Sequence, residues 1–285
     1  MTDRLKDKVA VITGATKGIG AAAVRLFTQE GCNVVFSGRT ADLGHDLERE
    51  IAKSGAPGKA IFQKADIGNS GEIRATIETA VREFGKLTNL LNVAASTDAF
   101  GKLKPTLELE DEDYLTMLQA ALIGGMVTPV KYAVPHMRAA GRGSVVTISA
   151  SSGSKGNYSS APYHAAKGAE IALTMKYALE FARDKIRFNV LAPGFVDTDT
   201  PTIRALKNTP ALFKIYDDAH LLGVGEPSDL AYAALWLCSD ESKWVTGEHI
   251  AINGGLTSYV PMRGLESEEA SRLRDEMAAA ARVAD

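Results

Sequence analysis

Cysteines and metal-ligand patterns are scarce in this sequence. Only two of its 285 residues are cysteines, and Cys32 and Cys238 are too far apart to indicate a disulfide framework or a metal-binding cluster. The five histidines are equally scattered, with no spacing typical of metal ligands. These absences predict a protein that holds no metal and works in a reducing compartment, which we take to be the cytoplasm.

Long apolar runs and concentrations of one charge are missing as well. The N-terminal segment is polar, and no run reaches the roughly 18 apolar residues of a membrane-spanning helix. The 32 basic and 35 acidic residues give a net charge of −3, and the basic residues form no stripe that could follow a phosphate backbone. We therefore expect neither a membrane nor a nucleic acid as a partner.

The sequence does contain a regular alternation of strand-like and helix-like segments. Short β-branched runs are separated by longer stretches with apolar residues three or four positions apart, including two predicted helices within 109–139. The predicted strands lie at 9–13, 33–36, 60–62, 90–93, 144–148, 187–191 and 249–252. This pattern predicts one α/β domain over residues 1–285, with a doubly wound, mostly parallel seven-stranded sheet and helices on both faces, the Rossmann fold.

Two segments depart from the alternation. Residues 199–222 contain Pro201, Pro210 and scattered aromatics, which predicts a helical lid with loop ends. Residues 258–285 extend past the last strand, and Ser267 is a candidate cap for a helix that packs on the surface or against another subunit.

A glycine-rich loop follows the first predicted strand. Residues 13–20 read Thr-Gly-Ala-Thr-Lys-Gly-Ile-Gly, and the glycines allow a sharp turn and close approach of the backbone to a pyrophosphate at the start of the next helix. The second strand ends in Arg39 with no carboxylate beside it, and Lys17 adds a second positive charge. Both cations favour the 2′-phosphate of NADP(H), although each also occurs as an ordinary surface residue.

Tyr163 and Lys167 form the candidate catalytic pair. Four residues apart on a predicted helix, they lie on one face, where the lysine ammonium favours ionisation of the phenol. Such a tyrosine can give a proton to a carbonyl oxygen or accept one from an alcohol. The spacing also arises by chance on exposed helices, so the pair needs support from the rest of the chain.

Taken together, these residues resemble the short-chain dehydrogenase/reductase family over residues 8–255. The matching motifs are residues 13–20, Ala65-Asp66-Ile67, Tyr163 with Lys167, residues 189–198 and residues 246–255. The resemblance implies that Tyr163 is the proton donor, that Lys167 binds the nicotinamide ribose and lowers the pKa of Tyr163, and that the protein is a homo-oligomer, either a dimer or a tetramer. Cofactor binding is expected from Gly14, Thr16, Lys17, Gly18, Ile19, Gly20, Arg39, Asp66, Ile67, Asn92, Ala94, Tyr163, Lys167, Pro193, Gly194, Val196 and Thr198.

The sequence departs from the family pattern at three positions. Ala95 replaces a glycine beside the cofactor, and the asparagine of a proton relay is replaced by Ala121 or Leu122. The catalytic serine falls on Ala150, between Ser149 and Ser151.

Strand alternation points Ser149 away from the site, so we predict that Ser151 replaces the missing serine as the third catalytic residue. The alternative is that Tyr163 and Lys167 act with another donor from the substrate loops.

The resulting prediction is an NADPH-dependent reductase of carbonyls, reversible as an alcohol dehydrogenase, with a small molecule as its partner. The substrate would contact the loop after Ala95, residues 151–162 and residues 199–220. Aromatic residues near these segments favour an apolar or cyclic carbonyl, unless they only pack the lid: Phe100, Tyr158, Phe195, Phe213 and Tyr216. Two alternatives remain open, a reductase of C=N or C=C bonds and a cofactor-binding protein with degraded catalysis.

Overall fold

The computed structural model describes residues 3–94, 105–157, 159–198, 201–258 and 272. Its seven strands form one sheet in the order β3-β2-β1-β4-β5-β6-β7, and every pairing is parallel. The strands are β1 Val9–Thr13, β2 Asn33–Gly38, β3 Ala60–Lys64, β4 Asn89–Asn92, β5 Gly143–Ile148, β6 Ile186–Pro193 and β7 His249–Ile252. The predicted doubly wound fold is confirmed, and the sheet is entirely rather than mostly parallel.

Two separate cores lie on the two faces of the sheet, because successive side chains of a strand point to opposite faces. In β1, Ala10 and Ile12 join the core on one face, and Val9 and Val11 join the core on the other. The helices that cover the sheet or follow it in the chain are α1 Gly18–Gln29, α2 Ala41–Lys53, α3 Ser70–Phe84, α4 Asp111–Met117, α5 Thr128–Ala139, α6 Ala161–Phe181, α7 Pro201–Lys207, α8 Pro210–Asp218 and α9 Pro227–Cys238.

The two helices predicted within 109–139 are one continuous helix. A π-helical segment, Leu118–Val127, joins α4 to α5, so the chain stays helical over Asp111–Ala139. By length and composition this helix could cross a membrane, but 50% of its most apolar window is buried inside the fold. Its apolar surface is therefore used largely in the core.

The sheet order places a crevice at the carboxyl ends of β1 and β4. The chain builds outward from β1 to β2 and β3, then returns to β4 on the other side of β1. Ligands of open α/β sheets bind at such a switch point. Between β6 and β7, the segment predicted as a lid contains the helices α7 and α8, and its role as a lid stays a prediction. Of the predicted C-terminal helix, only residue 272 lies within the described residues.

Candidate active site

The glycine loop closes directly against the end of β4. Gly14 has φ +66°, and a Cβ atom there would lie 2.6 Å from the Cα atom of Ala94. Gly18 has φ +56° and faces the side chain of Thr198, which a Cβ atom would approach to 3.1 Å. The glycine loop therefore contacts both Ala94 and Thr198. These three predicted cofactor-binding segments are distant in sequence and meet in the folded chain.

The residues present fit a dinucleotide phosphate. Helix α1 begins at Gly18 without a side-chain cap and without an acidic residue in its first turn, so its N–H groups and the positive end of its dipole are available to an anion. Asn92 donates from Nδ2 to Thr147 Oγ1 at 3.2 Å, and its buried Oδ1 has no hydrogen-bond partner among the described residues. An unsatisfied buried acceptor beside a phosphate loop suits a hydroxyl donor from a bound nucleotide.

The two predicted cations flank this loop. Lys17 immediately precedes α1, and Arg39 immediately follows β2. Both side chains are exposed, and neither makes an ion pair or hydrogen bond with the described residues. Both are therefore available to a phosphate group.

The Ala65-Asp66-Ile67 motif follows β3 directly. Asp66 Oδ1 accepts a hydrogen bond from Gly68 N at 2.8 Å. The carbonyl of Ile67 lies against Gly124 of the π-helical segment, where a Cβ atom would come within 2.4 Å of that oxygen. The close approach needs a glycine, which ties the π-helical segment to the predicted cofactor crevice.

Tyr163 and Lys167 lie together in the interior, at the first turns of α6. Their exposed fractions are 8% and 2%, and Lys167 Nζ is 5.7 Å from the centroid of the Tyr163 ring. Lys167 Nζ donates to Ile148 O at 3.2 Å and to Glu170 Oε1 and Oε2 at 2.9 and 3.1 Å. The sequence reasoning missed Glu170, whose only signal was a carboxylate three residues after the lysine.

Burial raises the pKa of Tyr163, the Lys167 charge opposes that rise and the Glu170 charge adds to it. The net pKa is above the ordinary value, so the expected lowering is outweighed here. Burial lowers the pKa of Lys167, but the Glu170 carboxylate reverses this and leaves the pKa raised. The lysine is therefore held as a cation.

Small apolar side chains surround the Tyr163 ring. Ala150 and Ala121, the positions of the missing serine and asparagine, form one buried cluster with Met117, Tyr163 and Ala166. No hydroxyl or amide from residues 121 and 150 faces the phenol.

The neighbouring serines bind main-chain atoms. Ser149 Oγ donates to Lys167 O at 3.0 Å, while Ser151 Oγ donates to Pro193 O at 2.9 Å and accepts from Asn253 Nδ2 at 3.3 Å. The hydroxyl of Ser151 thus links the chain just after β5 to the last residue of β6 by a hydrogen bond. Its proposed catalytic role stays a prediction.

The segment after β6 is tied to the lid through His220. Phe195 N donates to His220 Nε2 at 2.9 Å, and His220 Nδ1 bonds Tyr216 O at 2.6 Å, so Nδ1 carries the proton. The rings of Phe195 and Tyr216 pack with centroids 4.9 Å apart, as the lid-packing alternative expects. Val196 pairs with Gly225, which places residues 193–198 between the glycine loop and the lid. Ala95, Phe100 and Tyr158 lie outside the described residues.

Comparison with known proteins identifies the family. A family model described as enoyl-(acyl carrier protein) reductase matches residues 14–257. A short-chain type dehydrogenase/reductase from Mycobacterium ulcerans superposes with a TM-score of 0.82 at 25% identity, covering 88% of this chain and 90% of the other. The chain belongs to the short-chain dehydrogenase/reductase family. It is therefore an oxidoreductase of a family that uses NAD(P)(H).

Two curated relatives of this dehydrogenase/reductase have named activities. The 3-oxoacyl-[acyl-carrier-protein] reductase FabG of Thermotoga maritima is 34% identical over 89% of this chain and 99% of its own length. The NADP-dependent (R)-specific alcohol dehydrogenase of Lentilactobacillus kefiri is 30% identical over 90% of this chain and 100% of its own.

Proposed function

We propose that this short-chain dehydrogenase/reductase reduces a carbonyl to an alcohol with NADPH, reversibly. The observation that carries the proposal is the buried Tyr163–Lys167 pair on α6. The same fold also holds the glycine loop at Gly14, to which we assign the cofactor phosphates. A phenol held beside a fixed ammonium group suits proton transfer to a developing alkoxide. The activities named for the two curated relatives support this reaction class.

Tyr163 gives its phenolic proton to the carbonyl oxygen as that oxygen gains negative charge. The ammonium group of Lys167 stabilises the phenolate that remains. NADPH, when bound, supplies the hydride that the carbonyl carbon receives. In the reverse direction the tyrosinate accepts the alcohol proton. The raised pKa of Tyr163 keeps the phenol protonated near neutral pH, which is the form that reduction needs.

The choice of NADPH over NADH rests on Lys17 and Arg39. They flank the site where the adenosine ribose is expected, and both are unpaired among the described residues. A guanidinium and an ammonium can both bind a 2′-phosphate, and no carboxylate follows β2 to bind a free 2′-hydroxyl.

The surroundings of Tyr163 favour an apolar substrate. Met117, Ala121 and Ala150 line the cluster that contains its ring. A ketone or secondary alcohol with an apolar or cyclic body suits this environment.

Ala150 also favours a second candidate, reduction of a C=N or C=C bond. Without a hydroxyl at position 150, one donor for a substrate oxygen is missing. Less negative charge need form on oxygen when an imine or an enone is reduced.

The test is NADPH and NADH oxidation by the purified protein against ketones, imines and enones. We expect turnover of ketones with NADPH preferred, and loss of turnover in Tyr163→Phe with NADPH affinity retained. Removing a general acid of this kind lowers kcat by about 10²–10⁴-fold. Tyr177→Phe is the matched control, because Tyr177 lies on the same helix and packs against Phe181 and Phe188.

Full activity in Tyr163→Phe would remove the proposed proton donor. Turnover confined to imines or enones would favour the second candidate. NADPH binding without turnover of any substrate would favour a protein whose catalysis has degraded.

A further inference from the structure

Glu170 is a buried carboxylate to which the proposed reaction assigns no role. Its side chain is 2% exposed, and both of its oxygens accept hydrogen bonds from Lys167 Nζ. Burial raises the pKa of the Glu170 carboxyl, and the charge and hydrogen bonds of Lys167 beside it oppose that rise. An acid and a base placed three residues apart on a helix usually form an exposed pair, whereas this pair is almost wholly removed from water.

Three acceptors lie within hydrogen-bond distance of the Lys167 ammonium. Two are the oxygens of Glu170, and the third is the carbonyl of Ile148 at the end of β5. The π-helical segment contributes Ala121 and the chain after β5 contributes Ala150 to the apolar cluster around Tyr163. Among the described residues, Glu170 and Tyr163 are the titratable groups that act on Lys167.

We propose that Glu170 is a positioning residue, whose carboxylate keeps the Lys167 ammonium charged and fixed beside Tyr163. A lysine buried without an anionic partner loses its proton more readily, because burial disfavours the charged form. Glu170 therefore supports the cation that the proposed carbonyl reduction needs, and the catalytic part of this assignment rests on that proposed function.

Replacing Glu170 by glutamine should lower the pH above which the kcat of carbonyl reduction falls. Without the negative charge, the Tyr163 phenol ionises at lower pH and Lys167 loses its proton at lower pH. Reduction requires a protonated tyrosine and a charged lysine, so both changes bring the alkaline fall of kcat to lower pH.

The first measurement is the pH profile of kcat for ketone reduction in wild type, Glu170→Gln and Glu180→Gln. Glu180 is the matched control, since it lies on α6 and pairs with Lys176 on the surface. We expect the alkaline limb of Glu170→Gln to move down by about one pH unit and that of Glu180→Gln to stay in place. A purely structural role would reduce the amount of active protein without moving the limb.

The second measurement needs no turnover. We expect the Tm of Glu170→Gln to lie at least about 5 °C below wild type at pH 7, because a buried cation has lost its partner. In this variant the pKa of Lys167 is lower in the folded protein than in the unfolded protein. The unfolded state therefore binds more protons, so the stability of the variant rises with pH. In wild type the pKa of Lys167 is raised in the folded protein. The charged lysine therefore stabilises the fold at neutral pH, and this contribution is lost at high pH, where the lysine loses its proton. The Tm gap therefore narrows as the pH rises from 7 towards 10.

The assignment is overturned if the alkaline limb of the Glu170→Gln pH profile lies within about 0.3 pH unit of the wild-type limb. It is also overturned if the difference in Tm between wild type and Glu170→Gln does not change with pH. If Glu170→Gln does not fold, Glu170→Asp takes its place, because a carboxylate one methylene shorter weakens the contact and moves the limb partway in the same direction. A narrowing Tm gap in a protein that reduces no ketone would reject the proposed function and retain the link between Glu170 and Lys167.

Discussion

At the scale of single residues, the site combines a tightly held cation with an apolar wall. Three acceptors lie around the Lys167 ammonium, while position 150, in the same buried cluster as Tyr163, carries no hydroxyl. Donors aimed at a developing oxyanion commonly contribute 10²–10³-fold to kcat. The absence of such a donor at position 150 is therefore a feature that a single substitution can test.

Ala150→Ser is expected to raise kcat for ketone reduction by about tenfold, because its hydroxyl would lie beside the Tyr163 phenol. Steady-state kinetics with a ketone found in the substrate panel checks this. Ala166→Ser adds the same hydroxyl to the same cluster from α6 and should give no gain. An unchanged or lower rate in Ala150→Ser would mean that another donor already binds the substrate oxygen.

At the scale of elements, His220 couples the lid to the predicted cofactor segment. The imidazole spans from the carbonyl of Tyr216 on α8 to the amide of Phe195, and a Cβ atom on Gly194 would come within 2.5 Å of His220 Nε2. Both ring nitrogens are used, and the ring is 5% exposed. One side chain thus sets the distance between two elements that the sheet does not hold together.

His220→Phe should loosen residues 194–198, because it leaves the part-buried N–H of Phe195 and the part-buried carbonyl of Tyr216 without the imidazole as partner. Each such loss costs about 1–3 kcal/mol, so protection of the Phe195 amide from hydrogen exchange should fall by about tenfold or more. Tyr216→Ala is the control, since it removes the ring contact with Phe195 and keeps the carbonyl that His220 binds. Equal protection in wild type and His220→Phe would show that the strand pairing of Val196 alone fixes the segment.

At the scale of the whole molecule, α6 presents apolar side chains on its outer face. Met175 and Leu179, one turn apart, are 55% and 79% exposed, whereas Tyr163 and Lys167 on the same helix are buried. Adjacent apolar residues on an otherwise polar helix surface favour association with another subunit. The proposed homo-oligomer would then use the helix that carries the catalytic pair.

Leu179→Glu should shift the protein towards a smaller species, because a carboxylate would be buried in the proposed interface. Sedimentation velocity on wild type and variant measures this directly. Leu107→Glu serves as the control, since Leu107 is fully exposed and lies away from α6 in the chain. A wild-type protein that sediments as a monomer, or a variant that sediments as wild type does, would contradict the proposal.

The sequence by itself determined the sheet, the glycine loop between β1 and α1, and the placement of Tyr163 and Lys167 on one helix. These features depend on local requirements, namely a buried strand, a glycine with positive φ and a helical spacing of four, which a pattern of residues can express. The same patterns did not reveal that one helix runs through 111–139, because its π-helical part, Leu118–Val127, departs from the 3.6-residue period on which they rely.

The tertiary structure alone decided what surrounds the pair. Glu170 beside Lys167 looks in sequence like any surface ion pair, and its burial depends on how α6 packs against β5 and the π-helical segment. The engagement of Ser151 with Pro193 and of His220 with Phe195 joins segments 42 and 25 residues apart. Burial and distant contacts arise only when the whole chain is folded, and they determine the charge on Lys167 and the position of the lid.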